Sequence, residues 1–221
     1  TAQARSLGQE IFPAGSTLRS LAISARVWQT WALTGVYFAT FGGFIALTAW
    51  FPTYWGSLFK VTPVVAGVLT ATYSILASLC RVGGGVVADR LGGERTLAIA
   101  LPVTALGAAL LAFGGALPLC VGAEVVLAVG MGVSNAAVFK LVPQNVPKAV
   151  GGAAGWVGGL GAFGGFAIPP LMGLVVRLYP DNGYSLGFLV FVGLSAVALA
   201  LVAMMWLDRR VRPATATLSA K

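Results

Sequence analysis

Six stretches of 20 or more mostly apolar residues, separated by short polar connections, constrain this 221-residue chain more than any other feature. A membrane-spanning helix needs about 20 such residues, each adding about 1.5 Å. The stretches run from about Val27 to Leu58, Pro63 to Leu91, Thr96 to Gly115, Pro118 to Leu141, Val150 to Leu178 and Tyr184 to Leu207. The expected fold is therefore an all-α membrane protein with six transmembrane helices. Composition supports this, with 58% hydrophobic and 9% charged residues against about 45–50% and about 25% in soluble domains. Such a chain has too few polar side chains to cover a solvated surface. A soluble enzyme, a disordered tail and a secreted disulfide scaffold are excluded.

The chain has no histidine, which removes His-based triads, His-ligated metals and His proton relays. Cys80 and Cys120 lie 40 residues apart in apolar surroundings and read as small buried hydrophobes. No metal site, cofactor or catalytic constellation is expected, and the chain does not read as an enzyme. The net charge of +8 would suggest nucleic acid in a soluble protein. Here it sorts by side of the membrane, so no nucleic-acid partner is expected. Arg5, Arg19, Arg26, Arg90, Arg95, Lys140, Lys148, Arg209, Arg210, Arg212 and Lys221 fall on one side. Only Lys60 and Arg177 fall on the other, and Arg81 lies within a stretch. The basic excess marks the cytoplasmic side. Both termini are thus expected in the cytoplasm, which requires the even number of spans already counted. Residues 1–26 read as a cytoplasmic connecting segment, 27–207 as the bundle and 208–221 as a cytoplasmic tail. Ser16 or Thr17 can cap a short interfacial helix, with 1–14 expected to be a disordered leader. A chain opening on Thr1 reads as a piece of a longer protein, or a processed one.

Two ionisable residues lie deep in the apolar stretches, Arg81 and Glu124. An Arg at the bilayer centre costs roughly 2.5–3.5 kcal/mol on insertion scales, so it faces a cavity or a partner. Arg81 sits ten residues before Leu91, or about 15 Å deep. Its planar fork suits a planar oxyanion. A structural pair with Glu124 is the other reading. Glu124, six residues after Pro118, reads as a proton carrier, a charge partner or a partly solvated acid at a cavity mouth. Tyr37 and Phe41 are four apart and share a helix face. They fit an anion held between rings, or ordinary interhelix packing. Asn135 is a buried donor for the same anion, or a stitch between helices.

Residues 151–165 read GGAAGWVGGLGAFGG, with eight glycines. In helical phase these give small-xxx-small stripes that let backbones approach closely or open a cavity wall to a ligand. Pro169 and Pro170 follow and are expected to kink or break that helix. A Gly- and Pro-interrupted span points to a transporter binding site.

The run from Gly85 through Asp89, Arg90 and Gly92 to Arg95 resembles the G-x-x-x-D-R-x-G-R-[KR] loop of the major facilitator superfamily, departing from it at Gly93 and Glu94. Residues 155–169 (GWVGGLGAFGGFAIP) resemble the second nitrate signature of that superfamily's nitrate/nitrite porters. YFATFGGF from Tyr37, RVGGGVVADRLGG from Arg81 and VFKLVP from Val138 are similar to the later helices of the same family. The resemblance implies the C-terminal six-helix half of a twelve-helix inner-membrane porter, monomeric when complete. The partner elements would be the lipid bilayer and a missing N-terminal half. It implies nitrate and nitrite as substrates, exchanged by alternating access in nitrate transport and assimilation. Arg81, Tyr37, Phe41, Gly155 and Gly158 match substrate-binding positions, and Asn135 matches more loosely. Gly85, Asp89, Arg90 and Gly92 match the gating loop. Proton symport, another small-anion porter and a non-transporting anion-binding subunit are the alternatives.

Overall fold

The computed structural model describes residues 16–218, with side chains through Arg209. The expected leader 1–14, and the side chains of Arg5, Arg210, Arg212 and Lys221, lie outside the described residues. A leading helix, Thr17–Ala25, opens on Ser16, whose side chain accepts from the Arg19 N–H. Six helical spans follow, each long and apolar enough to cross a membrane: Trp28–Phe59, Pro63–Leu91, Gly93–Phe113, Leu117–Asn145, Pro147–Leu178 and Gly183–Arg209. The chain is all-α, as the apolar stretches predicted. Thr62 caps the second span ahead of Pro63, which has no N–H to lose at that position. The last helix itself runs on to Leu218.

Several boundaries and kinks differ from expectation. The second span ends at Leu91 as expected, so Gly85, Asp89 and Arg90, likened above to a loop, lie on helix. Gly92 alone, at φ +89°, separates it from the third span, so the presumed loop is a one-residue corner. The fifth span is broken at Phe163, between helices Val150–Ala162 and Gly164–Leu178. Pro169 and Pro170 sit inside the second of these without ending it. The first span is irregular too, with a π-helical turn over Phe38–Gly42. The two irregularities face each other. A Cβ on Gly42 would stand 2.6 Å from both the Gly161 carbonyl and Gly164 Cα. The backbones touch there, at the interruption of the fifth span.

The fourth span is the hub, packed between the second and third. Glycine lets the backbones meet: a Cβ on Gly84 would lie 2.6 Å from Val133 Cα, and one on Gly107 2.6 Å from the Leu127 N. The sixth span covers the third, and the fifth lies on the first and on the leading helix. That helix is pinned by hydrogen bonds from the Gly152 N–H to Ser20 Oγ (3.0 Å) and from the Trp156 indole to the Leu21 carbonyl (3.1 Å). Two apolar clusters result. One, with Leu33, Leu97, Leu101 and Leu141, lies toward the Asp89 end. The other, with Phe51, Tyr54, Trp55, Tyr73 and Phe188, lies toward the opposite, far end. In the second and fifth spans only 22% of the most apolar window is buried, against 61% in the first and fourth. The second and fifth spans therefore leave a broad face uncovered.

Candidate functional site

Arg81 projects from the middle of the second span and donates from Nη2 to the Tyr37 hydroxyl at 2.5 Å. Its Cζ lies 5.1 Å from the Phe41 ring centre and 5.8 Å from that of Tyr37, within cation–π range of both. The two rings stack at 4.8 Å and 16°. Tyr37 precedes the π-turn Phe38–Gly42 and Phe41 lies within it, where the wider helical turn re-aims the side chains. Phe139 of the fourth span meets Tyr37 edge-on, at 5.0 Å and 89°. Phe44 stacks on the other side of Phe41. On the fifth span, Gly161 approaches so closely that a Cβ there would lie 2.6 Å from Tyr37 Cδ1. Four spans thus fix one ring, and that ring holds the guanidinium.

The alternative pairing of Arg81 with Glu124 does not form. Among the described residues the ion pairs are Lys140–Asp89 and Arg209–Glu94. Arg81 takes a hydroxyl instead of a carboxylate, leaving its charge uncompensated and its other donors available. Glu124 is buried in the far-end cluster region, and neither carboxyl oxygen has a hydrogen bond. The reason is placement along the helices. Arg81 lies ten residues from the Asp89 end of its helix, whereas Glu124 lies seven from the far end of its own.

The remaining candidates divide. Asn135 is buried one helical turn before Phe139, its Oδ1 without a hydrogen bond. It therefore lies on the face of the fourth span that meets Tyr37. Gly158 faces Phe139, 3.9 Å from a built Cβ, while Gly155 lies against Leu21 of the leading helix. Gly161 and Phe139 are the contacts that sequence reasoning missed. Gly161 stood in the quoted signature, but nothing in the stripe distinguishes the glycine that touches a ring from those that do not.

At the Asp89 end, Lys140 donates to the Asp89 carboxylate and ties the fourth span to the second. Lys140 belongs to the helix Leu117–Asn145, not to a connection. Arg90 is exposed, and a Cβ on Gly85 would meet open space. The two departures from the loop pattern have partners of their own. Glu94 pairs with Arg209 of the sixth span at 2.9 Å. Gly93 packs so tightly that a Cβ would lie 2.6 Å from Leu141 Cγ. Gln29 of the first span donates to Asp208 of the sixth at 2.9 Å. Spans two and four, three and six, and one and six are thus cross-linked by polar contacts at one end of the bundle. Among the described residues no group of His, Cys, Asp or Glu is arranged to hold a metal ion.

Comparison with known proteins adds a family. Residues 33–221 match the family model of the Major Facilitator Superfamily. A protein of Bacillus subtilis named "Nitrite extrusion protein" is 32% identical over 186 residues, covering 84% of this chain and 46% of that protein. A "Probable nitrate/nitrite transporter NarK2" of Mycobacterium tuberculosis is 34% identical over 197 residues, covering 86% and 49%. A "Probable nitrate/nitrite antiporter NarK1" of Thermus thermophilus is 34% identical over 165 residues, covering 66% and 37%. The chain spans less than half the length of each of these relatives.

Proposed function

Because this chain belongs to the Major Facilitator Superfamily, we propose that it is the six-span half of a porter that moves nitrate and nitrite across a bacterial plasma membrane by alternating access. The proposed cycle is nitrate/nitrite exchange, with both termini cytoplasmic, no enzymatic step, and residues 1–26 and 208–221 flanking the 27–207 bundle. One observation carries the reading: a mid-span arginine held by the Tyr37 hydroxyl against two rings, with no carboxylate partner among the described residues.

The chemistry follows from the donors. Tyr37 accepts from Arg81, so its own O–H points elsewhere and is a second donor for an oxyanion. The guanidinium supplies charge and a planar fork. Phe41, with Tyr37 stacked on one face and Phe44 on the other, offers the anion its weakly positive ring edge. Asn135, Gly158 and Gly161 complete the site from the fourth and fifth spans, and the upstream half would supply the opposing cation. An empty site leaves these charges unneutralised, so anion occupancy favours the closed, switching state. That favours exchange over one-way release. Asp89, Arg90, Gly85 and Gly92 form the gating corner, and Lys140 latches it to the fourth span.

The test uses the intact porter in nitrite-loaded proteoliposomes without a pH gradient, with Arg81→Ala as control. Nitrate entry that needs internal nitrite and disappears in the variant is expected. Entry only under an inward proton gradient would replace exchange by symport. Flux of neither kind would refute the porter reading.

A further inference from the structure

Glu124 is a buried carboxyl group that the anion site does not use. Near it stand Tyr54 and Trp55 of the first span, Tyr73 of the second and, one turn earlier on its own helix, Cys120. Tyr54 in turn reaches the Leu111 carbonyl of the third span and Ser185 of the sixth. No lysine or arginine pairs with it among the described residues. The neighbouring donors are committed or unbonded. Tyr54 donates to the Leu111 carbonyl at 3.4 Å, Tyr73 to Met131 Sδ at 3.1 Å, and the Trp55 N–H has no acceptor. A carboxylate here would have lost its water, with only the Trp55 indole N–H at hand to replace it. A bound proton removes the charge altogether.

A route to the group exists on the same side. A cavity of about 510 Å³ opens at the far end between the first, third and sixth spans. Phe59, Phe113, Asn182 and Ser185 line it. Ser185 also stands beside the Tyr54 hydroxyl, which in turn neighbours Cys120, one helical turn from Glu124. Ser185 and Tyr54 therefore connect the cavity to the cluster beside the buried acid.

We propose that Glu124 is a proton-binding site loaded from the far-end cavity past Ser185 and Tyr54. The inference deepens the porter reading, because proton occupancy of this site is linked to the packing of the far end. Deprotonation puts an unpaired charge among Tyr54, Trp55 and Tyr73 and loosens that packing.

Infrared difference spectroscopy of the purified intact porter tests it, comparing acid with alkaline buffer. The expected result is a carboxylic C=O band that disappears at alkaline pH, is absent from Glu124→Gln and is shifted in Glu124→Asp. Tyr54→Phe combined with Ser185→Ala should keep the band and slow its hydrogen–deuterium exchange tenfold or more. Identical spectra for the wild type and Glu124→Gln would overturn the site. Unchanged exchange in the double variant would overturn the route. The band is blind to the anion carried. A protein that moved no nitrate yet showed the band would refute the porter reading and leave this one standing.

Discussion

Gly161→Ala is the sharpest probe of how the site is built. The added Cβ would lie 2.6 Å from Tyr37 Cδ1, 3.0 Å from its Cβ and 3.2 Å from its Cγ. Three atoms at the base of the ring are crowded together, so a simple rotation does not relieve the contact. Tyr37 is buried and is held by the Phe41 stack and the Phe139 edge. Overpacking of this kind costs about 1–3 kcal/mol. The displaced ring carries its hydroxyl away from Arg81, and a hydrogen bond to a charged group is worth about 1.5–3 kcal/mol. Since about 1.4 kcal/mol is a factor of ten, the apparent affinity for nitrate should fall roughly 10- to 100-fold. The assay is nitrate-dependent exchange in proteoliposomes of the intact porter, with thermal melting in parallel. Gly159→Ala is the control, because a Cβ there meets nothing within 4 Å. Equal affinities for Gly161→Ala and wild type would refute the argument, as would equal damage from Gly159→Ala.

Other perturbations follow from the same contacts. Arg81→Lys keeps the charge but loses the planar fork, so exchange should fall at least tenfold; normal flux would show that charge alone suffices. Arg209→Ala strips the partner from Glu94, whose side chain is only 11% exposed, and should lower the melting temperature more than Glu94→Gln, which leaves no buried charge behind. The Lys140–Asp89 pair is different, with side chains 38% and 63% exposed. Exposed pairs contribute about 0.2–1 kcal/mol, so a double-mutant cycle on stability should return a small coupling, while swapping the two charges should restore any lost transport.

Much of the fold was legible because its cause is local. Each apolar stretch was long enough to cross a bilayer on its own, and all six appear as helices. The Ser16 cap was visible for the same reason, since a cap needs only the three residues after it. The closeness of Tyr37, Phe41 and Arg81 came from periodicity and family likeness, and the structure brings them into contact. The failures have a common origin. In the fifth span the helix is interrupted at Phe163, ahead of Pro169 and Pro170, where Gly161 and Gly164 press against the first span at its π-turn. Glu124 was a candidate partner for Arg81 on charge alone, yet the helices hold the two at different depths. Lys140 counted only as one of the basic residues on one side, yet its helix continues to Asn145 and delivers it to Asp89.

Sequence by itself determined that this chain is helical, that it crosses a membrane six times, and that Arg81 demands a partner within it. Those conclusions rest on the cost of placing backbone and charge in hydrocarbon, a cost each segment meets alone. Which partner satisfies Arg81, which glycine touches the ring that holds it, and which acid is left without a cation were decided only by tertiary packing. They depend on the rotation and depth of one helix against another, quantities set by close backbone contacts at Gly42, Gly84, Gly107 and Gly161 rather than by any one segment.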